Sequence, residues 1–176
     1  MFSTEICKDF FTLVESLLIL FSSFTRKTAN ILVTRDNQIK LADLGLARSY
    51  SPNEKSLKYS NPVVTLWYRS PELLFGLREY GLAIDIWSVG CVFAEMKCRS
   101  AVFKGTDESE QLNLIFDTCG SPVDDILDLY KSYPKYNEFT NLKPGCPRIL
   151  TQKFAMSVPL NSILLILYTI LLFFRY

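Results

Sequence analysis

The chain contains no histidine, which excludes imidazole as a general base or metal ligand. Its cysteines, Cys7, Cys91, Cys98, Cys119 and Cys146, are odd in number and form no C-x-x-C pair. That pattern argues against both a disulfide framework and a zinc site, and fits small core thiols in a reducing compartment. Excess charge is also missing. The net charge is +1, so no strongly basic face is offered to nucleic acid. No internal repeat is present. Glu5 and Asp9 precede the apolar run Phe10–Phe24, a poor match to the positive start of a signal peptide.

What is present divides the chain into three parts. Residues 1–26 are apolar with little turn chemistry, residues 27–143 read as a mixed globular sequence, and residues 144–176 lead into a very apolar end. The length suffices for one domain with a real core. In the tail, Phe154–Phe174 is interrupted by Ser157, Pro159, Asn161 and Ser162, and its unbroken part is Ile163–Phe174. A membrane span needs roughly 20 predominantly apolar residues. Two readings of the tail stay open: a membrane anchor, or a buried helix or sequence never selected to fold.

The middle opens with two β-rich runs, Ile31–Val33 and Ile39–Leu41, around Asp36-Asn37, which predict a hairpin. A long polar loop follows from Ser49 to Asn61, and long loops in compact domains are usually functional. Leu82–Met96 predicts a helix that is apolar on nearly every side and therefore central. A second helix is expected from Glu108 to Thr118, with Asp107 and Glu110 as a capping box and Gly120 past its end. A shorter one is expected over Asp124–Tyr130. The expected class is mainly α with a short β hairpin.

The chemistry-bearing residues begin with Asp43-Leu44-Gly45. Alone, the tripeptide is a turn after a strand. Here the hairpin brings Asn30 alongside it, and a carboxylate with an amide oxygen is a natural Mg²⁺ site beside nucleotide phosphates. Val63-Val-Thr-Leu-Trp-Tyr-Arg-Ser-Pro-Glu72 follows, then Asp85-Ile-Trp-Ser-Val-Gly90 at the head of the apolar helix.

In this order and spacing the motifs resemble the C-terminal lobe of protein kinases. Asp43-Leu-Gly looks like D-F-G, Ser70-Pro-Glu like A-P-E, and Asp85–Gly90 like the D-x-W-S-x-G helix start. Thr65-Leu-Trp-Tyr-Arg and Tyr59-Ser-Asn-Pro-Val-Val are similar to cyclin-dependent kinases, and the loop Ser49–Lys58 and Pro71-Glu-Leu-Leu-Phe-Gly with the helix after it look most like their transcription-elongation branch. The resemblance runs from Lys27 to about Leu142, a C-lobe fragment without an N-lobe.

The resemblance implies a role for each matching residue. Asn30 and Asp43 would hold Mg²⁺ on ATP, and Lys27 would steady the γ-phosphate. Thr65 would brace Lys27 and the catalytic aspartate. Ser60 would be the activation-loop phosphosite, gaining about −1.5 to −2 charge, with Arg48 among the arginines that receive it. Val64 and Arg69 would shape a pocket favouring proline after the modified Ser or Thr. Asp85 would tie down the catalytic loop, and Glu72 would be half of a buried ion pair. Trp87, Cys91 and Tyr68 read as core packing. The implied partners are a cyclin and a Ser/Thr-Pro protein substrate such as the RNA polymerase II tail, in the nucleus or cytoplasm.

Four departures bear on activity. Ser23-Phe24-Thr25 stand where the family has H-R-D. Thr25 cannot accept the substrate proton as the aspartate does, and general-base help is typically worth about 10²–10⁴-fold. Phe24 removes an arginine that would meet the phosphorylated loop. No Gly-rich loop, V-A-I-K lysine or cyclin-facing helix precedes residue 27. The arginine partner of Glu72 is missing, and breaking a buried pair costs on the order of 3–5 kcal/mol. The apolar tail replaces the last helices of the lobe, which uncovers part of the central helix.

The expectation is a cyclin-dependent Ser/Thr kinase by ancestry, its ends missing or misread, and inactive as this chain by itself. The alternatives are a non-catalytic binding or membrane-anchored fragment, and a pseudokinase. Survival of Asn30 and Asp43 amid the loss of whole elements speaks against the last.

Overall fold

The computed structural model describes residues 30–36, 38–42, 65–80, 83–122, 124–143, 145–149 and 152. The apolar N-terminal run and nearly all of the tail lie outside the described residues. Among the described residues, no helix is long and apolar enough to cross a membrane.

Strands β1 (Ile31–Val33) and β2 (Ile39–Leu41) pair antiparallel, with Ile31 opposite Leu41 and Val33 opposite Ile39. β-branched residues suit a pleated surface, and Thr34 closes the turn. Its N–H donates to Gln38 O at 2.9 Å, and its Oγ1 accepts from Gln38 N at 2.9 Å.

Among the described residues four helices follow: α1 (Pro71–Leu74), α2 (Ala83–Cys98), α3 (Glu108–Cys119) and α4 (Asp124–Lys131). Proline opens α1, where the missing N–H costs nothing. The α2 helix is the expected central one. Ile84, Trp87, Val89, Cys91, Val92, Phe93 and Ala94 are all buried, so no solvent stripe interrupts it.

The start of α3 keeps one half of the expected capping box and changes the other. Asp107 Oδ1 accepts from Glu110 N at 2.8 Å, as expected. The Glu110 carboxylate does not return to residue 107. It accepts from Thr106 N at 2.8 Å and Thr106 Oγ1 at 2.5 Å, one residue further out. These bonds hold the Glu110 carboxyl below its ordinary range. At the other end Gly120 takes φ +90°, a conformation L side chains rarely adopt, and its N–H closes on Phe116 O.

One core joins these elements. Leu74, Phe75, Trp87, Val89, Leu112 and Ile115 are essentially inaccessible. Burying each such side chain is worth roughly 1.5–3 kcal/mol. Trp87 stacks on Phe103 at 6.1 Å between ring centres. Phe75, just past α1, meets Tyr130, Tyr136 and Phe139 at 5.0, 5.5 and 5.5 Å. It thereby fastens α4 and the turn after it to the rest.

From Asn141 to Ile149 the chain lies across the C-terminal end of α3 as a strap. Asn113 clamps its start: Nδ2 donates to Asn141 O at 3.2 Å, and Oδ1 accepts from Lys143 N at 3.0 Å. Lys143 Nζ pairs with Asp117 at 2.7 Å. Ser121 Oγ donates to Lys143 O at 3.0 Å and accepts from Cys146 N at 3.0 Å. Ile149 N reaches Thr118 O at 3.2 Å, satisfying a helix-end carbonyl.

Candidate functional site

The mouth of the hairpin carries the first site position. Ala42 N donates to Asn30 O at 2.8 Å, so the register sets Asn30 opposite Ala42. Asp43 is the next residue in the chain. It lies outside the described residues, as do Lys27, Thr25, Arg48, Ser60 and Val64. Asn30 is half-buried, while Leu32 and Val33 on β1 are exposed at 53% and 45%. An open apolar strand therefore runs on from the candidate Mg²⁺ ligand.

The second group of positions sits on residues 65–72. Thr65 is exposed and leads into a single 3₁₀ turn over Leu66–Tyr68. Three tertiary hydrogen bonds fix this turn. Ser88 Oγ on α2 donates to Tyr68 O at 2.9 Å, and Tyr68 OH donates to Glu95 Oε2 at 2.6 Å. Trp67 Nε1 donates to Gly105 O at 3.1 Å. Gly105 is needed for that approach, because a Cβ there would lie 2.6 Å from Gln111 N. The Gly105 N–H is taken by Gln111 Oε1 at 2.9 Å.

Arg69 leaves the turn toward α3. Its Nη1 pairs with Glu108 Oε1 at 2.9 Å, and Glu108 Oε2 pairs with Lys135 Nζ at 2.9 Å. One carboxylate thus gathers cations from two distant segments, and its two oxygens are both used. Glu108 was not legible as a site residue, because a glutamate in the first turn of a helix reads as a dipole partner. Its one sequence signal is its place directly after the helix cap.

Glu72 lies within α1 and is nine-tenths buried. No lysine or arginine pairs with it among the described residues. Burial pushes its carboxyl up to about 7, against smaller opposing help from its own backbone N–H and Ser70. Burial first and Glu72 second push up the hydroxyls of Tyr130, in α4, and of Tyr133, just past it. Asp85 is fully buried in the first turn of α2, where the helix dipole favours a carboxylate. Trp87, Cys91 and Tyr68 are all buried, as core packing requires.

An open groove also runs along α3, lined by Asp107, Glu110, Asn113, Asp117, Asn141 and Lys143. It contains none of the positions above. Its acids are engaged by Glu110 N, Thr106 and Lys143. Among the described residues no cluster of three or more His, Cys, Asp or Glu could hold a metal.

The protein-family model described as "Protein kinase domain" matches residues 26–158. Cyclin-dependent kinase 9-A of Xenopus laevis is 51% identical over 114 residues, covering 62% of this chain and 30% of that protein. Human cyclin-dependent kinase 9 is 50% identical over 114 residues, covering 62% and 31%. Cyclin-dependent kinase C-1 of Arabidopsis thaliana is 48% identical over 121 residues, covering 69% and 23%. The chain therefore spans less than a third of the length of these curated relatives. A solved chain of the yeast RNA Pol II CTD kinase CTDK-1 complex superposes with a TM-score of 0.80 at 29% identity, over 96% of this chain and 57% of that one.

Proposed function

This chain belongs to the protein kinase family and resembles its transcription-type cyclin-dependent members, and from that premise we propose that it is a substrate-side lobe fragment which does not phosphorylate by itself. The parent activity is transfer of the γ-phosphoryl group of ATP to Ser/Thr-Pro sites, with the RNA polymerase II tail as the candidate substrate and a cyclin as partner. Nuclear or cytoplasmic location goes with that reading.

The observation that carries it is the hairpin register, with Ala42 bonded back to Asn30 and Asp43 the next residue in the sequence. An amide oxygen and a carboxylate are hard donors of the kind Mg²⁺ takes, so the retained residue types fit the metal–nucleotide pair. When bound, that pair would neutralise developing charge on the phosphates. In this reading Asn30 and Asp43 hold the metal, Lys27 orients the phosphate, and Thr65 braces the loop that carries Lys27. Arg69, with Val64, lines the pocket that accepts proline. Ser60, once phosphorylated, docks on Arg48.

The missing function is proton transfer. Thr25 occupies the place of the base, and a neutral hydroxyl has no affinity for the substrate proton at pH 7. The test is ATP-dependent labelling of a Ser-Pro peptide by the purified 176-residue chain, with and without a cyclin. No labelling above a no-enzyme control is expected. Labelling that survives Asp43→Asn would point to a contaminating kinase, whereas labelling abolished by Asp43→Asn would overturn the proposal.

A further inference from the structure

The strap across the end of α3 turns on one hydroxyl. Ser121 Oγ is both donor and acceptor, to Lys143 O and from Cys146 N, each at 3.0 Å, and Ser121 N also bonds Cys146 O at 3.0 Å. Ser121 precedes Pro122, in the turn that leaves Gly120. The sequence has two other Ser-Pro dipeptides and no Thr-Pro. Ser51 lies outside the described residues, and Ser70 is fully buried. Ser121 is half-buried and hydrogen-bonded to the strap.

We propose that Ser121 is a phosphorylation site for a proline-directed protein kinase, and that the phosphate releases the 141–149 strap from α3. The proposal treats the chain as a substrate and stands whether or not it catalyses anything. The Ser121 oxygen forms a bond to the γ-phosphorus of ATP, the bond from that phosphorus to ADP breaks, and the hydroxyl proton passes to the acting kinase's base.

Access requires the strap to lift, and its anchors are mainly hydrogen bonds and the Lys143–Asp117 ion pair, with Leu142 partly buried against the core. Lys143 is exposed, Cys146 is half-buried, and nothing lies within 4 Å of where a Cβ on Gly145 would stand. Segments held by exposed hydrogen bonds with little apolar burial open locally at low cost.

Release follows from size and charge. Two hydrogen bonds of 3.0 Å leave no space for a phosphoryl group between Ser121 and the strap backbone. The site is two residues past Cys119, which ends α3, and the terminal carbonyls of that helix carry partial negative charge. A dianion placed there is repelled, as is general at helix C-termini. Asp117 in the last turn of α3 adds to the repulsion. Of the nearby cations, Lys143 is committed to Asp117 at 2.7 Å, and Arg148 is exposed, with its backbone and Cβ against Gly120.

The experiment incubates the full chain with ATP, Mg²⁺ and a purified proline-directed kinase, then reads intact mass, the modified position and amide hydrogen exchange. One phosphate on Ser121 is expected, absent in Ser121→Ala. It should also be absent in Pro122→Ala, which keeps the hydroxyl and should keep the strap amides protected. In the phosphorylated chain the amides of Lys143, Cys146 and Ile149 should exchange roughly tenfold faster or more, the loss expected for two broken hydrogen bonds. The proposal is overturned if the folded chain stays unmodified while a peptide spanning residues 115–128 is modified, or if phosphate appears only elsewhere. Phosphorylation that persists in Pro122→Ala, or leaves strap exchange unchanged, overturns it equally.

Discussion

Replacing Glu72 with glutamine should make the protein more stable at pH 8 and leave it nearly unchanged near pH 4.5. Burial lifts the Glu72 carboxyl from 4.5 to about 7. In the folded state the group therefore keeps its proton over a range where the unfolded chain has already lost it. Below about pH 4.5 both states are neutral and the site costs nothing. As pH rises toward 7 the unfolded state is progressively favoured, and above 7 the full penalty applies. A shift of about two and a half units at 1.36 kcal/mol each gives roughly 3 kcal/mol, a large share of the 5–15 kcal/mol available to a domain. Glutamine has nearly the same shape and no charge to desolvate. The assay is urea denaturation of both proteins at pH 5 and pH 8. The wild type should lose stability across that interval and Glu72→Gln should recover most of the loss at pH 8. Equal pH slopes in the two proteins, or a glutamine variant weaker than wild type at pH 8, would refute the account.

Two further outcomes are expected. Gly105→Ala places a Cβ 2.6 Å from Gln111 N and disturbs the bond that Gly105 N donates to Gln111 Oε1 and the one that Gly105 O accepts from Trp67 Nε1. Overpacking and lost bonds should cost about 2–3 kcal/mol in urea denaturation, with a change in Trp67 fluorescence. Asp107→Ala removes the acceptor for Glu110 N and should cost about 1 kcal/mol by the same measurement, while Asp107→Ser should recover most of it.

Local signals were the legible ones. The hairpin formed at the expected runs because Ile31–Val33 and Ile39–Leu41 are short β-rich runs around a turn that needs no distant partner. The expected helices appeared as α2, α3 and α4, the first extending to Cys98, since apolar length and end residues are written in sequence. Helix α1 was not anticipated, because four residues are too few to show a period. Long-range polar geometry was equally hidden. The Glu108 bridge joins Arg69 to Lys135, and the Ser121 clamp reaches Lys143 and Cys146, across separations that no local pattern encodes. Of the candidate site, Asn30, Thr65, Arg69, Glu72 and Asp85 have described places. Among these, Glu72 is buried.

The position of Phe75 sets an order on synthesis. Its ring is completed by Tyr130, Tyr136 and Phe139, which leave the ribosome more than fifty residues later. A nascent polypeptide that stops after α3 carries this ring without those three neighbours, however well its own helices have formed. Closure waits for Phe139, so premature release anywhere between residues 120 and 139 yields a sticky intermediate and a target for chaperones.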